Sequence, residues 1–221
     1  MTQKITEKEI IELERQLSCP IGDLGIEVGE SMNKSNIGMI LNTIQLLELK
    51  NKNSVLEIGH GNCSHLNNVL GLAKEIQYHG VEISETMFQE AKKNDITKKG
   101  EFKLYNGQTI PYSSNYFHII FSVNTIYFWS NPDQLISEIE RTLKLNGLCV
   151  LTYANKDFME KLPFVGQRFK LFDQNDIKEL AKKSSLKIIE SEEFTEKVKS
   201  KTGEQVERKY TITKLKKFTE K

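Results

Sequence analysis

From residue 54 onward, short runs rich in β-branched and aromatic residues alternate with segments that have a helical pattern. The first five runs are SVLEI, IQYHGVE, EFKLY, FHIIFSV and LCVLTY, and helical patterns lie near residues 64–74, 84–94 and 132–144. Strands that alternate with helices in this way pair in parallel through right-handed crossovers. The pattern therefore predicts an α/β protein with an open, doubly wound sheet.

A helical segment precedes this alternation. Thr6 and Glu9 form a capping box in front of an apolar stripe, which predicts an amphipathic helix over about residues 6–17. A second helical pattern occupies residues 37–47. Between the two lie helix-breaking residues, which we expect to interrupt the helical structure: Pro20, Gly22, Gly25 and Gly29.

The chain after residue 153 departs from the regular alternation. We expect a loop or helical insert at about residues 155–172, then a helix that begins at Asp173. Two extended runs follow, LKIIESEEF and QVERKYTITKL, and the glycine-containing link at residues 201–204 predicts a hairpin with an antiparallel strand at the sheet edge. The domain organisation expected is a helical cap or lid over residues 1–50 and a core over residues 51–221.

Charge and composition exclude several kinds of partner. The 221-residue chain has 31 Lys and Arg against 30 Asp and Glu, a net charge of +1, so no strong field draws it to nucleic acid. Only four of the basic residues are arginines, the side chain best suited to reading bases and phosphates. We therefore expect no nucleic-acid partner.

Several features favour a cytoplasmic location. No stretch approaches the roughly 18 to 20 apolar residues that cross a bilayer, and the first residues lack the apolar core of a signal peptide. The cysteines, Cys19, Cys63 and Cys149, are odd in number and widely spaced, which predicts thiols rather than disulfides or a CxxC metal pair. We therefore expect a cytoplasmic protein without a membrane span.

The first predicted strand runs into a loop with two glycines. In VLEIGHGNCS, Gly59 and Gly61 stand where the chain must turn sharply and let a ligand approach the backbone. The helix expected next offers unpaired N–H groups to an electronegative ligand. A dinucleotide-binding loop would have a third glycine where this chain has Ser64, which weakens an NAD interpretation. A purely structural turn remains the alternative.

An acidic residue ends the second predicted strand. Glu82 lies at the carboxyl edge of the sheet, where open α/β sheets bind ligands. A carboxylate there accepts hydrogen bonds from both hydroxyls of a ribose and repels a ribose 2′-phosphate. The alternative is a surface acid near a helix start, because Ser84 and Glu85 already provide an N-cap and a first-turn acid.

Four segments, in this order, resemble the motifs of class I S-adenosylmethionine-dependent methyltransferases, of the small-molecule group that includes the ubiquinone and menaquinone biosynthesis enzymes. They are VLEIGHGNC, GVEISETMFQEAKK, FKLYNGQTIPYSSNYFHIIFSV and LKLNGLCVLTY, within about residues 54–153. The resemblance implies a Rossmann-like, seven-stranded sheet in the order 3-2-1-4-5-7-6, with the last strand antiparallel. It also implies S-adenosyl-L-methionine as the cofactor and S-adenosyl-L-homocysteine as the product.

The resemblance also implies which residues bind the cofactor. The glycine loop holds the methionine end, Glu82 binds the ribose, and Ile83 lies beside the adenine. Asn106 stands where the family commonly has an Asp that meets the adenine amino group, and its side-chain oxygen is expected to accept instead. Cys63, often Gly in the family, and Asn146 before Gly147 also depart from the pattern. Within the core motifs, the residues expected to bind the cofactor are Glu57, Gly59, His60, Gly61, Glu82, Ile83, Asn106 and Gly107.

The stretch PIGDLGIEVGESMNKSN is similar to the N-terminal cap of a subset of these enzymes, where a Met-Asn-x-x-Asn segment closes over the cofactor. This similarity implies that Met32, Asn33 and Asn36 are lid residues. In the alternative interpretation, Met32 packs in a helix interface and the asparagines cap the helix near residue 36.

The segment SVNTIYFWSNP leaves the fourth predicted strand at the edge where the family's acceptor sits. Tyr127, as a proton acceptor or orienting hydroxyl, and Asn124 are the candidate catalytic residues. The residues expected to line the substrate pocket are Thr125, Trp129 and Phe164. The insert is expected to cover an aromatic or lipophilic acceptor, and core packing is the alternative for Tyr127 and Trp129.

Methyl transfer from a sulfonium is an in-line displacement that works by alignment and exclusion of water, without a metal or a covalent nucleophile. No metal is expected, because the histidines show no ligand spacing: His60, His65, His79 and His118. The leading interpretation is a methyltransferase for a small-molecule acceptor. The alternatives are a non-catalytic S-adenosylmethionine-binding module or partner subunit, and an NAD-dependent oxidoreductase. The sequence is compatible with either a monomer or a homodimer.

Overall fold

One seven-stranded sheet organises the computed structural model, which describes residues 6–199 and 205–218. The strand order is β3-β2-β1-β4-β5-β7-β6, with β7 antiparallel to both neighbours and the other pairs parallel. The predicted order and the antiparallel β7 are therefore confirmed, although the 201–204 link lies outside the described residues. The strands are β1 Ser54–Ile58, β2 Gln77–Glu82, β3 Gly100–Leu104, β4 Phe117–Val123, β5 Leu143–Ala154, β6 Leu186–Lys199 and β7 Gln205–Lys217.

Helices cover both faces of the sheet. They are α1 Glu7–Ser18, α2 Gly22–Gln45, α3 Leu66–Leu70, α4 Glu85–Asn94, α5 Pro132–Thr142, α6 Lys156–Met159 and α7 Gln174–Ala181, with a 3-10 turn at Ile126–Phe128. Neighbouring residues of β1 point to opposite faces, so Leu56 packs with α5 and α7 residues while Val55 packs with residues of α2. Across the described residues, no helix combines the length and the apolar character needed to cross a membrane.

Local signals placed several helix starts correctly. The Thr6–Glu9 capping box is present, with the Thr6 N–H 2.7 Å from a Glu9 carboxylate oxygen. Asn131 caps α5, which has proline at its start, and Asp173 caps α7. These interactions involve residues two or three positions apart, so the sequence alone specifies them.

The predicted interruption between the two N-terminal helices is wrong beyond Gly22. Helix α2 is continuous over 24 residues and contains both Gly25 and Gly29. A Cβ on Gly25 would lie 2.8 Å from the Pro20 carbonyl carbon, and a Cβ on Gly29 would lie 2.6 Å from the Met87 sulfur. These glycines therefore allow close packing of the helix rather than ending it.

The β6–β7 hairpin extends past the rest of the sheet. Pairing between β5 and β7 ends where Ala154 faces Tyr210, whereas pairing between β6 and β7 continues to Lys199 and Gln205. We call residues 194–199 and 205–210 the hairpin arm. The arm lies against α2, because the Tyr210 hydroxyl accepts a 2.9 Å hydrogen bond from the Asn42 amide.

Candidate functional site

A cavity of about 450 Å³ lies at the carboxyl edge of the sheet. Parallel pairing of β1 with both β2 and β4 brings the ends of these three strands side by side, and α2 closes the cavity above them. All the predicted site residues line it except Tyr127 and Phe164. Those that do are Met32, Asn33, Asn36, Glu57, Gly59, His60, Gly61, Glu82, Ile83, Asn106, Gly107, Asn124, Thr125 and Trp129.

The glycine loop adopts a left-handed backbone that favours glycine. Gly59 and Gly61 have φ values of 73° and 57°, in the left-handed region. A Cβ on Gly59 would also lie 2.5 Å from the Thr125 methyl carbon, whereas a Cβ on Gly61 would meet no atom within 4 Å. Gly59 therefore allows the loop after β1 to approach the segment after β4, and Gly61 leaves space open.

Glu82 joins this loop to the end of β2. One carboxylate oxygen accepts a 3.0 Å hydrogen bond from the Gly61 N–H, and the other accepts from Ile83 N–H at 2.8 Å and Ser84 N–H at 3.0 Å. The residue is only 6% exposed and lines the cavity. Three backbone donors therefore hold one carboxylate in place at the carboxyl edge of the sheet.

His60 lies inside the glycine loop and is buried. Its Nδ1 is 2.7 Å from the Gly61 carbonyl oxygen, so the ring must donate from Nδ1, which leaves Nε2 as an acceptor without a hydrogen-bond partner among the described residues. Burial lowers the pKa of His60, although the negative charges of Glu82 and Glu57 act to raise it. Gly80 on β2 makes room for the ring, since a Cβ there would lie 2.5 Å from it.

A buried polar network lies beneath the loop. Glu57 accepts from His65 Nε2 at 3.0 and 2.8 Å and from the Tyr78 hydroxyl, which also contacts the Cys63 sulfur at 3.1 Å. Burial opposes ionisation of both partners, but each holds the other charged: Glu57 raises the pKa of His65, and His65 lowers that of Glu57. The network therefore fixes a buried ion pair directly under the loop.

The same network contains the one group of three Cys, His or acidic side chains, within the described ranges, that is close enough to share a metal ion. The ligand atoms of Glu57, Cys63 and His65 lie within 4.8 Å of one another. Burial and the Glu57 charge keep the pKa of the Cys63 thiol well above its ordinary value. These atoms already have hydrogen-bond partners, since His65 bonds to Glu57 and the Tyr78 hydroxyl contacts both Glu57 and Cys63. The absence of a metal stays a prediction.

Asn106 uses its side-chain oxygen for its own turn. The oxygen accepts from Gln108 N–H at 2.9 Å and Thr109 N–H at 2.8 Å. Both lone pairs of this oxygen therefore have backbone partners, and its expected contact with an adenine amino group stays a prediction. Gly107 stands next to Ile83, since a Cβ on this glycine would lie 3.5 Å from the isoleucine side chain.

Tyr127 is a core residue. It is 3% exposed, its hydroxyl accepts from Ala154 N–H, and the single O–H lies within donating distance of two acceptors, Asn124 Oδ1 at 3.0 Å and the Ala154 carbonyl at 3.2 Å. Burial raises the pKa of the phenol above its ordinary value. Tyr127 therefore supports the cavity from behind through Asn124, and the core-packing alternative is the one that the structure favours.

Phe164 lies in the predicted insert but not in the cavity wall. Its ring is 6.4 Å from that of Phe169, which packs at 4.7 Å on Phe128, and Phe128 does line the cavity. The insert also meets the N-terminal helix, because Glu14 accepts a 2.6 Å hydrogen bond from the Arg168 N–H. Phe164 is therefore an aromatic residue behind the wall formed by Phe128.

Helix α2 forms the remaining wall. Its residues 29, 32, 33, 36 and 40 line the cavity, the spacing of one helical face. Asn33 donates to Asn62 at 2.9 Å and to Ser64, both in the loop after β1, and the Ser84 hydroxyl donates to the Pro20 carbonyl just before the helix. These contacts fix α2 to the glycine loop and to the region of Glu82.

Several lining residues have no motif that points to them. Only the folded structure identifies five of the lining residues, which are Leu17, Ser18, Asn62, Met87 and Ser130. Phe128 is different, because it falls between Thr125 and Trp129 in a segment already expected near the acceptor. An apolar residue beside two predicted pocket residues is the signal that could have identified it.

Comparisons with known proteins agree with this geometry. Residues 56–151 match the family model described as a methyltransferase domain. The chain is 30% identical over 112 residues to the uncharacterized methyltransferase YdaC of Bacillus subtilis (strain 168), a match that spans 50% of this chain and 61% of that protein. The chain therefore covers about three fifths of the length of this relative.

Solved structures show the same fold at low sequence identity. One chain of a complex that contains the Haloferax volcanii Trm112 methyltransferase activator has a TM-score of 0.69 at 15% identity, over 82% of this chain and 79% of that chain. Phosphoethanolamine N-methyltransferase 2 of Haemonchus contortus, in complex with phosphomonomethylethanolamine and S-adenosylhomocysteine, has a TM-score of 0.63 at 16% identity, over 82% and 53%. Residues 56–151 of this chain therefore match a methyltransferase domain, and its seven-stranded sheet has the fold of these solved structures.

Proposed function

We propose that this protein binds S-adenosylmethionine in the cavity and transfers the methyl group to a small, uncharged acceptor. One observation carries the proposal: the buried Glu82 carboxylate and the left-handed Gly61 are bonded to each other in the wall of a single cavity. A buried carboxylate beside an open glycine suits a ribose, whose hydroxyls donate to the acid. The residues therefore fit the cofactor that the family uses.

The bound cofactor supplies a methyl group on a sulfonium. Around it, the chain's residues would bind and orient: Glu82 holds the ribose hydroxyls, and the backbone of Gly59 to Gly61 accommodates the methionine end. Among the residues the structure describes, the pocket walls contain Glu82 and the Glu57–His65 ion pair but neither lysine nor arginine, so Glu82 is the acid there without a charged partner. Such an acidic wall favours a positively charged sulfonium.

The acceptor would occupy the part of the cavity between α2 and the segment after β4. Ile40, Val123, Phe128 and Trp129 supply apolar surface there, and Thr125 is bonded to Ser122 and to the Trp129 indole. No described residue of this part is a carboxylate, histidine or lysine, so alignment rather than side-chain proton transfer would drive the step. This chemistry fits a neutral, apolar or aromatic acceptor and disfavours a phosphorylated one.

The N-terminal residues 1–50 would act as the lid, and residues 155–172 as a second cover. Both regions contact the cavity walls, through Asn33 on the glycine loop and Phe169 on Phe128. A cover that excludes water suits a displacement in which charge disappears. The division of the chain at residue 50 and the cytoplasmic location are part of this proposal.

Thermal unfolding with added ligands tests cofactor binding. We expect S-adenosylhomocysteine to raise the melting temperature and NAD to leave it unchanged, with about 2.7 kcal/mol of stabilisation at 100 times the Kd. Glu82→Ala should abolish the shift relative to its own ligand-free protein. Glu85→Ala, which removes an exposed acid of the same helix start, is the matched control and should keep it. A shift with NAD alone would contradict the proposal.

Transfer itself needs a second experiment. The protein is incubated with cofactor labelled in the methyl group and a metabolite extract, and we expect label in an uncharged, apolar product. Cofactor binding without label in any fraction would support the non-catalytic binding module instead. Label found only in anionic products would contradict the proposed acceptor class.

A further inference from the structure

The hairpin arm holds the lid helix through one buried arginine. The Arg208 side chain is 7% exposed, and its guanidinium lies 2.7 Å from Glu196 across the hairpin. The same group donates to two residues of α2, to the Ser35 carbonyl at 2.8 Å and to Asn36 Oδ1 at 2.7 Å. Gly38 makes this approach possible, because a Cβ there would collide with the Glu196 carboxylate.

The contact decides which way the Asn36 amide points. A guanidinium has donors only, so the amide atom that faces Arg208 must be the oxygen. The Asn36 nitrogen is then the atom left to donate, on a residue that lines the cavity. The neighbouring amides differ, since the nitrogens of Asn33 and Asn124 already bond to Asn62 and to the Met39 sulfur.

The position and chemistry of Asn36 suit one part of the cofactor. Asn36 lies one helical turn from Asn33, which contacts the glycine loop, and therefore close to where the methionine end would bind. A carboxylate in this cavity meets no lysine or arginine among the described lining residues, and the charge of His65 is already paired with Glu57, so the carboxylate depends on neutral N–H donors. Arg208, directly behind Asn36, polarises the amide so that its nitrogen becomes a better donor.

We propose that Arg208 is a positioning residue that orients the Asn36 amide to donate to the amino-acid carboxylate of the bound cofactor. The hairpin arm is then part of the cofactor site, although it lies far along the chain from the family motifs. This inference rests on the proposed function, because it requires that the cavity binds S-adenosylmethionine.

The test compares two ligands that differ only in the carboxylate. Calorimetry gives the Kd of S-adenosylhomocysteine and of its decarboxylated analogue, which keeps the amine, and the ratio of the two measures the preference for the carboxylate. Asn36→Ala should reduce this preference about tenfold, the value of one hydrogen bond to a charged group. Asn36→Asp should reduce it further, since like charges repel.

Arg208→Lys tests the positioning role without leaving Glu196 unpaired. The preference of this variant for the carboxylate should fall between those of the wild type and Asn36→Ala. Glu196→Gln is the control, because it weakens the same hairpin–helix contact but leaves the Arg208–Asn36 bond in place. It should therefore keep the wild-type preference. If a variant does not fold, as judged by circular dichroism, the others still determine the outcome.

Three results would overturn the inference. These are an unchanged preference in Asn36→Ala, an unchanged preference in Arg208→Lys, or an equal loss in Arg208→Lys and Glu196→Gln, which would indicate a structural role only. A wild-type protein that binds neither ligand would overturn the proposed function as well. A wild-type protein that binds both, with variants that keep its preference, would overturn this inference alone.

Discussion

The two sides of the cavity are held in place differently. On the sheet side, Glu82 is bonded to Gly61, 21 residues away, and to its own neighbours Ile83 and Ser84. On the α2 side, Arg208 reaches Asn36 across 172 positions of the chain, and Ser84 reaches Pro20 across 64. The sheet side is thus built from nearby backbone groups, and the helix side from side chains of distant segments.

This difference separates effects on folding from effects on affinity. Substitutions on the sheet side disturb a buried carboxylate or a left-handed backbone, and both are costly inside a core. Substitutions of the α2 amides, such as those of Asn33 and Asn36, remove single hydrogen bonds of half-buried side chains, which are worth about 1 kcal/mol each. We therefore expect variants of the sheet side to lose stability and variants of α2 mainly to lose ligand affinity.

The largest effect is expected at Gly59, on the sheet side, where the loop after β1 meets the segment after β4. In Gly59→Ala the left-handed backbone costs about 1–2 kcal/mol, and the new methyl group, 2.5 Å from Thr125, adds about 1–3 kcal/mol. Gly61→Ala is the matched control, because it carries the backbone cost without a collision. Denaturant unfolding measures the free energy of unfolding of both variants. Equal losses of stability in the two would show that contact with Thr125 does not matter.

His65→Gln should remove a pH dependence of stability. Glu57 keeps the pKa of His65 above its ordinary value of 6.5 despite burial, so the folded protein retains a proton that the unfolded chain releases. The free energy of unfolding of the wild type therefore falls as the pH rises from 6.5 through the folded pKa. The variant keeps a donor for Glu57, should lack this fall, and should lose about 1.5 kcal/mol at pH 6.5.

The remaining histidines do not obscure this effect. Burial lowers the pKa of His60, His79 and His118, so their contributions to stability change below pH 6.5, where stability rises with pH. Their contribution is common to both proteins, so the difference between the pH profiles of the wild type and His65→Gln from pH 6.5 to 8 measures His65. Parallel pH profiles of the wild type and His65→Gln would rule out a charged pair with Glu57.

The smallest effect is expected for Tyr127→Phe, behind the acceptor wall. The phenol loses its bond to Asn124, but the Ala154 N–H keeps Asn124 Oδ1 as an acceptor at 3.3 Å, so the loss is about 1 kcal/mol. The ligand-induced thermal shift and any methyl-transfer rate should stay within about twofold of the wild type. A rate that collapses while stability is unchanged would instead make Tyr127 a catalytic residue.

Much of the sheet side could be predicted because its signals are local. The capped helix starts, the two glycines before a helix and the acid that ends β2 each depend on residues close in sequence, and the structure brings the last two together. The α2 side could not be predicted in the same way. In the sequence, Gly25 and Gly29 predict a break in the helix. Only the structure shows that they allow close contact with Pro20 and Met87.

The sequence by itself determined the α/β class and the strand order implied by its motifs. It also identified the glycine loop and Glu82 as residues at the carboxyl edge of the sheet. Only the tertiary structure decided that α2 is continuous, that Tyr127 points into the core, and that Arg208 orients Asn36. The physical reason is the range of the interactions. Backbone conformation and capping act over a few residues, whereas the direction of a side chain depends on which distant segment packs against it.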